Sequence, residues 1–256
     1  HDEEVFGAGA AKVVTYLKEA GVRPWLVNDE GGALVEKALP GLRGRQAMIA
    51  IAEKGTVDVE ILATGSGGHA SVPQRNGPIF RLAKAIVRIE QNPSPPHLSA
   101  PILAMLEAFA SGAPKPIKAL VARGEQFDRP LARLLALAGP EASSMVRTTI
   151  AVTKLSGSPA NNVLATEARA NLNVRLTIGD TIEDLLERLA KRLKGLDVSV
   201  ASVNGANPPP VSDPNSAAWT LMVAALKVID PAILPVPYVL TGGTDSRHFA
   251  EISSSV

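Results

Sequence analysis

The sequence predicts an α/β domain interrupted by a smaller α+β domain of ferredoxin-like arrangement. Three observations predict it. Near the start, a helical repeat over Gly9 to Ala20 is followed by short apolar runs at Pro24 to Asn28 and Ala47 to Ala52. Helices alternating with apolar strands build parallel sheets. From Thr56 the period changes to two. The elements then run strand, helix, strand, strand, helix, strand once Leu98 to Met145 is set aside, which is the split βαβ order. After Asn207-Pro208-Pro209-Pro210 the first grammar returns, with a helix at Ser216 to Val228 and a strand at Tyr238 to Leu240. The expected boundaries are therefore a first α/β part at 1–54, an inserted domain at 55–205 and a second α/β part at 206–256.

Each element has its own signal. Ala10, Val13, Val14 and Leu17 fall at helical spacing, and Gly21 stands where a helix stops. Pro24 to Asn28 reads as a strand running into a turn at Asp29-Glu30-Gly31-Gly32. Thr56 to Thr64 alternates as a half-buried strand. Ile79, Leu82, Ala83, Ile86, Val87 and Ile89 form the apolar side of a helix over Ile79 to Gln91. Residues 98–145 are rich in Ala and Leu with Pro and Gly breaks, and read as a helical insertion. Thr148 to Leu155 and Ala168 to Leu176 alternate again. Thr181 opens a helix through a capping box with Asp184, followed by Ile182, Leu185, Leu186, Leu189 and Leu193. Val198 to Val203 is the last alternating strand of the inserted domain.

Composition narrows the chemistry. The 256 residues contain no cysteine, so a metal site would use His, Asp and Glu. A net charge of +1 gives no footprint for nucleic acid. No apolar run approaches the ~20 residues of a membrane span. The chain opens on His1-Asp2-Glu3-Glu4 and ends on Ser253-Ser254-Ser255-Val256, which reads as a fragment and leaves localisation open.

Four clusters could carry chemistry. Glu3 and Glu4 precede the first helix, and Asp29 ends the next expected strand. Alone, such an acidic run reads as solvated surface. In a parallel sheet, however, successive strand ends share one edge. Carboxylates gathered there repel unless a cation lies between them, and one left beside a metal can serve as general base. Gly67-Gly68-His69-Ala70-Ser71-Val72-Pro73 presents a histidine on a constrained loop, suited to an oxyanion or simply to a glycine turn. Asn161-Asn162 and Arg175 read as a turn and a strand arginine, or as groups that grip a carboxylate. Thr241-Gly242-Gly243-Thr244-Asp245-Ser246-Arg247-His248 follows a strand, and Arg247 could hold an anion there.

In this order the clusters resemble the di-zinc peptidase family of glutamate carboxypeptidase, aminoacylase-1, acetylornithine deacetylase and succinyl-diaminopimelate desuccinylase. The likeness is nearest to its carboxypeptidase S (Gly-X carboxypeptidase) branch. It is carried by His1-Asp2-Glu3-Glu4-Val5, Asn28-Asp29-Glu30-Gly31-Gly32, Glu53-Lys54-Gly55, the Gly67 to Pro73 run, Asn162-Val163-Leu164 and Gly243 to His248. The resemblance implies a zinc-exopeptidase-like catalytic domain interrupted by a lid, or dimerisation, domain. It implies Glu3 as general base, Glu4 and Asp29 as ligands of two Zn2+ ions (Co2+ or Mn2+ being alternatives), and His69 as an oxyanion donor reaching across a homodimer. It implies Asn162, Arg175 and Arg247 as substrate-binding residues.

Members of that family also carry a His-x-Asp motif and a bridging Asp upstream, and a metal-binding His near the C-terminus. Phe6-Gly7 replaces a more glycine-rich turn. The implied activity is hydrolysis of a peptide or N-acyl amide bond beside a free carboxylate. The alternatives are an N-acyl-amino-acid hydrolase using the same site, and a non-catalytic dimerisation or binding module.

Overall fold

The computed structural model describes residues 7–36, 38, 42, 44–111, 121 and 127–256. They fall into two compact units. The first comprises the described residues of 1–54, 96–147 and 208–256, and the second residues 55–95 and 148–207.

In the first unit, α1 (Ala8–Glu19) buries Ala10 and Val14. It stops at Gly21, whose φ of +70° suits a residue without Cβ. Strands β1 (Ala33–Glu36), β2 (Arg45–Glu53) and β9 (Leu234–Leu240) form a three-stranded sheet in the order β1-β2-β9. β2 and β9 are parallel, as the α/β grammar requires, whereas β1 runs antiparallel on the other side of β2. Residues 24–28, read above as a strand, form none. The Val27 N–H donates to the Ser255 carbonyl at 2.9 Å, a partner from the far end of the sequence. The strand next to β2 forms instead at Ala33–Glu36, beyond the glycine pair.

The helical segment that interrupts the second unit in sequence belongs to the first in space. Its described helices are α3 (Ala100–Ser111), α4 (Asp128–Leu137) and α5 (Pro140–Met145). α3 lies against β9 and buries Ile102, Met105 and Phe109. Lys54, only 1% exposed, reaches the end of this segment. Its ammonium donates to the carbonyls of Ser144 at 2.9 Å and Arg147 at 2.8 Å. A buried cation needs such acceptors to offset its lost hydration. The first unit closes with α7 (Ala217–Ile229), capped by the Ser216 hydroxyl on the Trp219 N–H, and with the short α8 (Ser246–Phe249).

The second unit is a four-stranded antiparallel sheet in the order β5-β7-β3-β8, formed by β3 (Gly55–Thr64), β5 (Thr149–Ser156), β7 (Glu167–Leu176) and β8 (Ser199–Ala206). Helices α2 (Pro78–Glu90) and α6 (Ile182–Leu193) bury their apolar sides with one face of it. Counting only these four strands, the order is second, third, first, fourth, which is the ferredoxin-like sheet.

Alternation decides the burial. Val57, Val59, Ile61, Ala63, Ala170, Leu172, Val174 and Leu176 are all fully buried, and the residues between them face the other way. On that other face Asn171 and Asn173 donate to Asp58, and Arg169 pairs with Glu60. Each large apolar side chain buried this way contributes about 1.5–3 kcal/mol. Thr181 caps α6 by accepting the Asp184 N–H at 3.1 Å. Two further strands, β4 (Gly68–His69) and β6 (Val163–Leu164), make a separate antiparallel ribbon.

Leu172 sits at the centre of this core with no exposure. Leu172→Ala is expected to lower unfolding free energy by about 2–5 kcal/mol, read from urea denaturation curves, because the rigid sheet relaxes little into the cavity.

Candidate functional site

The candidate site of the first unit is built where β2 ends and where the chain emerges from β9. Glu53, the last residue of β2, has a side chain only 7% exposed. Its Oε2 accepts two hydrogen bonds from Thr244, one from the backbone N–H and one from Oγ1, each 2.8 Å long. Thr244 has a single hydroxyl proton, and that bond uses it. The contact between Thr244 Oγ1 and Ser246 Oγ is then a bond donated by Ser246. Arg247 follows, its side chain 8% exposed and its Nε 3.9 Å from Glu53 Oε1. Burial raises the Glu53 carboxyl above the usual range, against the lowering effect of the Thr244 bonds and of the Arg247 charge. The nearby Asp29 charge adds to the rise.

Asp29 lies in the extended segment before β1 rather than at the end of a parallel strand, as the sequence implied. It is nevertheless brought to this place. Asp29 Oδ2 accepts the Ser246 N–H at 3.0 Å, and Oδ1 accepts the Glu30 N–H at 2.9 Å. Each oxygen keeps a lone pair. A half-buried carboxylate oriented by two backbone donors fits a metal ligand fixed by its outer shell. Among the described residues, no three His, Asp or Glu gather closely enough to hold an ion by themselves. Glu3 and Glu4 lie outside the described residues. Asp29, Glu53, Thr244, Ser246 and Arg247 share the wall of a cavity of about 690 Å3, with apolar side chains such as Leu34, Ile49 and Trp219 also lining it.

Gly243 explains how the loop fits. A Cβ there would lie 2.9 Å from Arg247 Nη2 and 3.0 Å from Nη1. The guanidinium therefore rests over the bare Cα, and an added Cβ would have to push it aside from its place beside Glu53.

In the second unit the His69 loop leaves the end of β3. Buried Arg81 of α2 holds that end by bonding the Thr64 carbonyl, and also bonds the Asp197 carbonyl at 2.8 Å. Gly67 and Gly68 take φ values of +68° and +133°, which a side chain would resist. His69 is exposed, and its Nδ1 accepts the Ser71 N–H at 3.2 Å and contacts Ser71 Oγ at 2.7 Å. With Nδ1 accepting this bond, Nε2 is the ring nitrogen left to donate.

The structure brings His69 and Asn162 together: His69 pairs with Val163, and the Ala70 N–H donates to the Asn162 carbonyl at 2.9 Å. It does not bring Arg175 to them. Arg175 pairs with Thr56 at the opposite end of β3 from Thr64, roughly 27 Å of strand away at about 3.4 Å per residue. Its guanidinium donates to Asn173 Oδ1 and Thr56 Oγ1, both at 3.1 Å.

Glu53, Thr244 and Ser246 were given no role by the sequence reading. The available signal was Glu53-Lys54: two charges closing the apolar run Ala47 to Ala52 and continuing directly into the next strand. Both prove buried.

Residues 51–200 match the family model of the M20 peptidase dimerisation domain. Over its whole length the chain is 32% identical to an N-fatty-acyl-amino acid synthase/hydrolase, PM20D1, of Xenopus tropicalis, covering 50% of it. It is 24% identical to carboxypeptidase S of Saccharomyces cerevisiae, covering 51% of that protein. The chain thus spans about half the length of the curated relatives it matches. Its fold is similar to that of the M20 family metallo-carboxypeptidase Sso-CP2 from Sulfolobus solfataricus. The TM-score is 0.54 at 16% identity, over 96% of this chain and 68% of that one. Among the described residues, no helix is long and apolar enough to cross a membrane.

Gly243→Ala tests the packing of the loop. The added methyl must displace a buried guanidinium, so a loss of about 1–3 kcal/mol in unfolding free energy is expected, measured by denaturant titration.

Proposed function

The chain belongs to the M20 peptidase family, and from that premise we propose that the full-length protein hydrolyses a peptide or N-acyl amide bond beside a free carboxylate. The observation that carries this reading is the Asp29 carboxylate, oriented by the Ser246 and Glu30 N–H groups in the wall of a cavity. In this reading the described residues of 1–54 and 206–256 belong to the catalytic domain, and 55–205 contain the lid, with 98–145 as an insertion. Two zinc ions, when bound, would polarise the scissile carbonyl and acidify a water.

This chain supplies the groups around that chemistry. Asp29 and Glu4 would be the ligands that it contributes. Glu3 would accept the proton of the attacking water at its carboxylate and return it to the leaving amine. His69 would donate from Nε2 to the developing oxyanion, across a homodimer formed through the lid domain. Asn162 sits beside it on the same ribbon and would bind substrate there. Arg175, at the other end of the sheet, would meet a substrate carboxylate from a different direction. Arg247 would add positive charge to the catalytic part of the site.

A second reading concerns the acyl group. Relatives named N-fatty-acyl-amino acid synthase/hydrolase are 28–32% identical to the chain, and the probable carboxypeptidase S-like 2 of Dictyostelium discoideum is 28% identical. An N-acyl amino acid, cleaved at the same site, is therefore as good a candidate substrate as a peptide. A panel of dipeptides and N-acyl amino acids offered to the full-length protein decides between the readings by the ratio of kcat/KM values. In the same protein, Glu3→Gln is expected to keep its zinc and lose turnover by about 10²–10⁴-fold, the usual worth of a positioned general base. Wild-type protein that carries no stoichiometric zinc by elemental analysis, or that cleaves neither substrate class, would overturn the proposed hydrolase.

A further inference from the structure

We propose that Glu53 is a positioning residue of this site: its buried carboxylate clamps the 243–247 loop, and through Ser246 that loop sets the orientation of the Asp29 carboxylate. The inference rests on the hydrolase reading and extends it to a residue that acts through the Asp29 carboxylate. The geometry forms one continuous path. Glu53 Oε2 accepts the Thr244 N–H and hydroxyl at 2.8 Å each. Thr244 Oγ1 accepts in turn from the Ser246 hydroxyl. The Ser246 N–H donates to Asp29 Oδ2 at 3.0 Å. Glu53 and Asp29 stand 24 positions apart and Thr244 stands 191 positions from Glu53, so no local turn could impose this arrangement.

Two features argue that the carboxylate is there to hold the loop rather than to stabilise the sheet. First, a buried carboxylate is a costly way to end a strand. Here its Oε1 has no hydrogen-bond partner among the described residues, although the Arg247 guanidinium lies near it. A neutral amide there would turn an NH2 donor toward the Arg247 guanidinium, so the site needs the carboxylate and not merely an acceptor for Thr244. Second, the loop is shaped around this carboxylate from both sides. Thr244 donates twice to it, and Arg247 turns back over the bare Cα of Gly243 to lie beside it. Outer-shell groups of this kind fix the direction of a ligand's lone pairs.

The test uses the full-length protein with zinc as the probe. Affinity is measured by competition with a chromophoric chelator, alongside the melting temperature of the metal-free protein and the separate kcat and KM values. Glu53→Gln is expected to weaken zinc binding about 10–100-fold and to lower kcat with little change in KM, as loss of an outer-shell partner does. Thr244→Val removes only the hydroxyl and should weaken binding by a smaller factor, while Thr244→Ser should restore it. Zinc affinity within about twofold of wild type in both Glu53→Gln and Thr244→Val, far below the usual outer-shell effect, would overturn the proposal, whatever happens to the melting temperature. If Glu53→Gln does not fold, Thr244→Val decides alone: unchanged affinity overturns the proposal and weakened affinity supports it. A wild-type protein without zinc would instead overturn the hydrolase reading itself, so the two failures are told apart.

Discussion

A carboxylate removed from water must find replacement partners, and Glu53 finds them on a loop 191 residues away. Two hydrogen bonds from Thr244 join the end of β2 to the segment after β9. Much of the site's geometry follows from that join. Ser246 is held where its N–H meets Asp29, and Arg247 is folded inward over the bare Cα of Gly243. The parallel pairing of β2 with β9 makes the join possible, since it brings both strands to their C-terminal ends together. Open α/β sheets place their sites at that edge for the same reason.

The second unit uses a different economy. Its sheet is ordered by alternation in the central strands β3 and β7, with one face apolar under α2 and α6 and the other tied by side-chain hydrogen bonds around Asp58 and Glu60. What it presents is displaced from that framework onto a short ribbon. His69 stands on β4 and Asn162 just before β6, where two glycines and a two-residue pairing fix the backbone while the side chains stay exposed. A rigid sheet with its polar donors on a short appendage is a common division of labour between scaffold and loop.

Long periodic elements were legible in the sequence because local pattern and tertiary burial agree in them. β3, α2, β7 and α6 begin within a residue or two of where alternation, helical spacing and the Thr181 cap place them. Legibility failed where a distant partner overrode local preference. Pro24 to Asn28 has the apolar character of a strand, yet its Val27 N–H goes to the carbonyl of Ser255. β1 was hidden behind Gly31-Gly32, which reads as a turn. The helical segment carries no mark in its composition to say which unit it joins. Among the candidate residues, His69, Asn162 and Arg247 stood out as residue types on unusual loops. Glu53 did not, because a glutamate followed by a lysine looks like the solvated end of a strand until its partners are seen.

The buried Lys54 ammonium has a consequence for how this chain can vary. It grips two carbonyls at the close of the helical stretch, while the stretch opens with the His97 N–H on the Val146 carbonyl. Departure and return are thus pinned side by side, like the two feet of an arch. Residues added or lost away from the α3 face that packs on β9 would leave those footings where they are. The fold therefore has a place to lengthen or shorten outside the strands of its sheets.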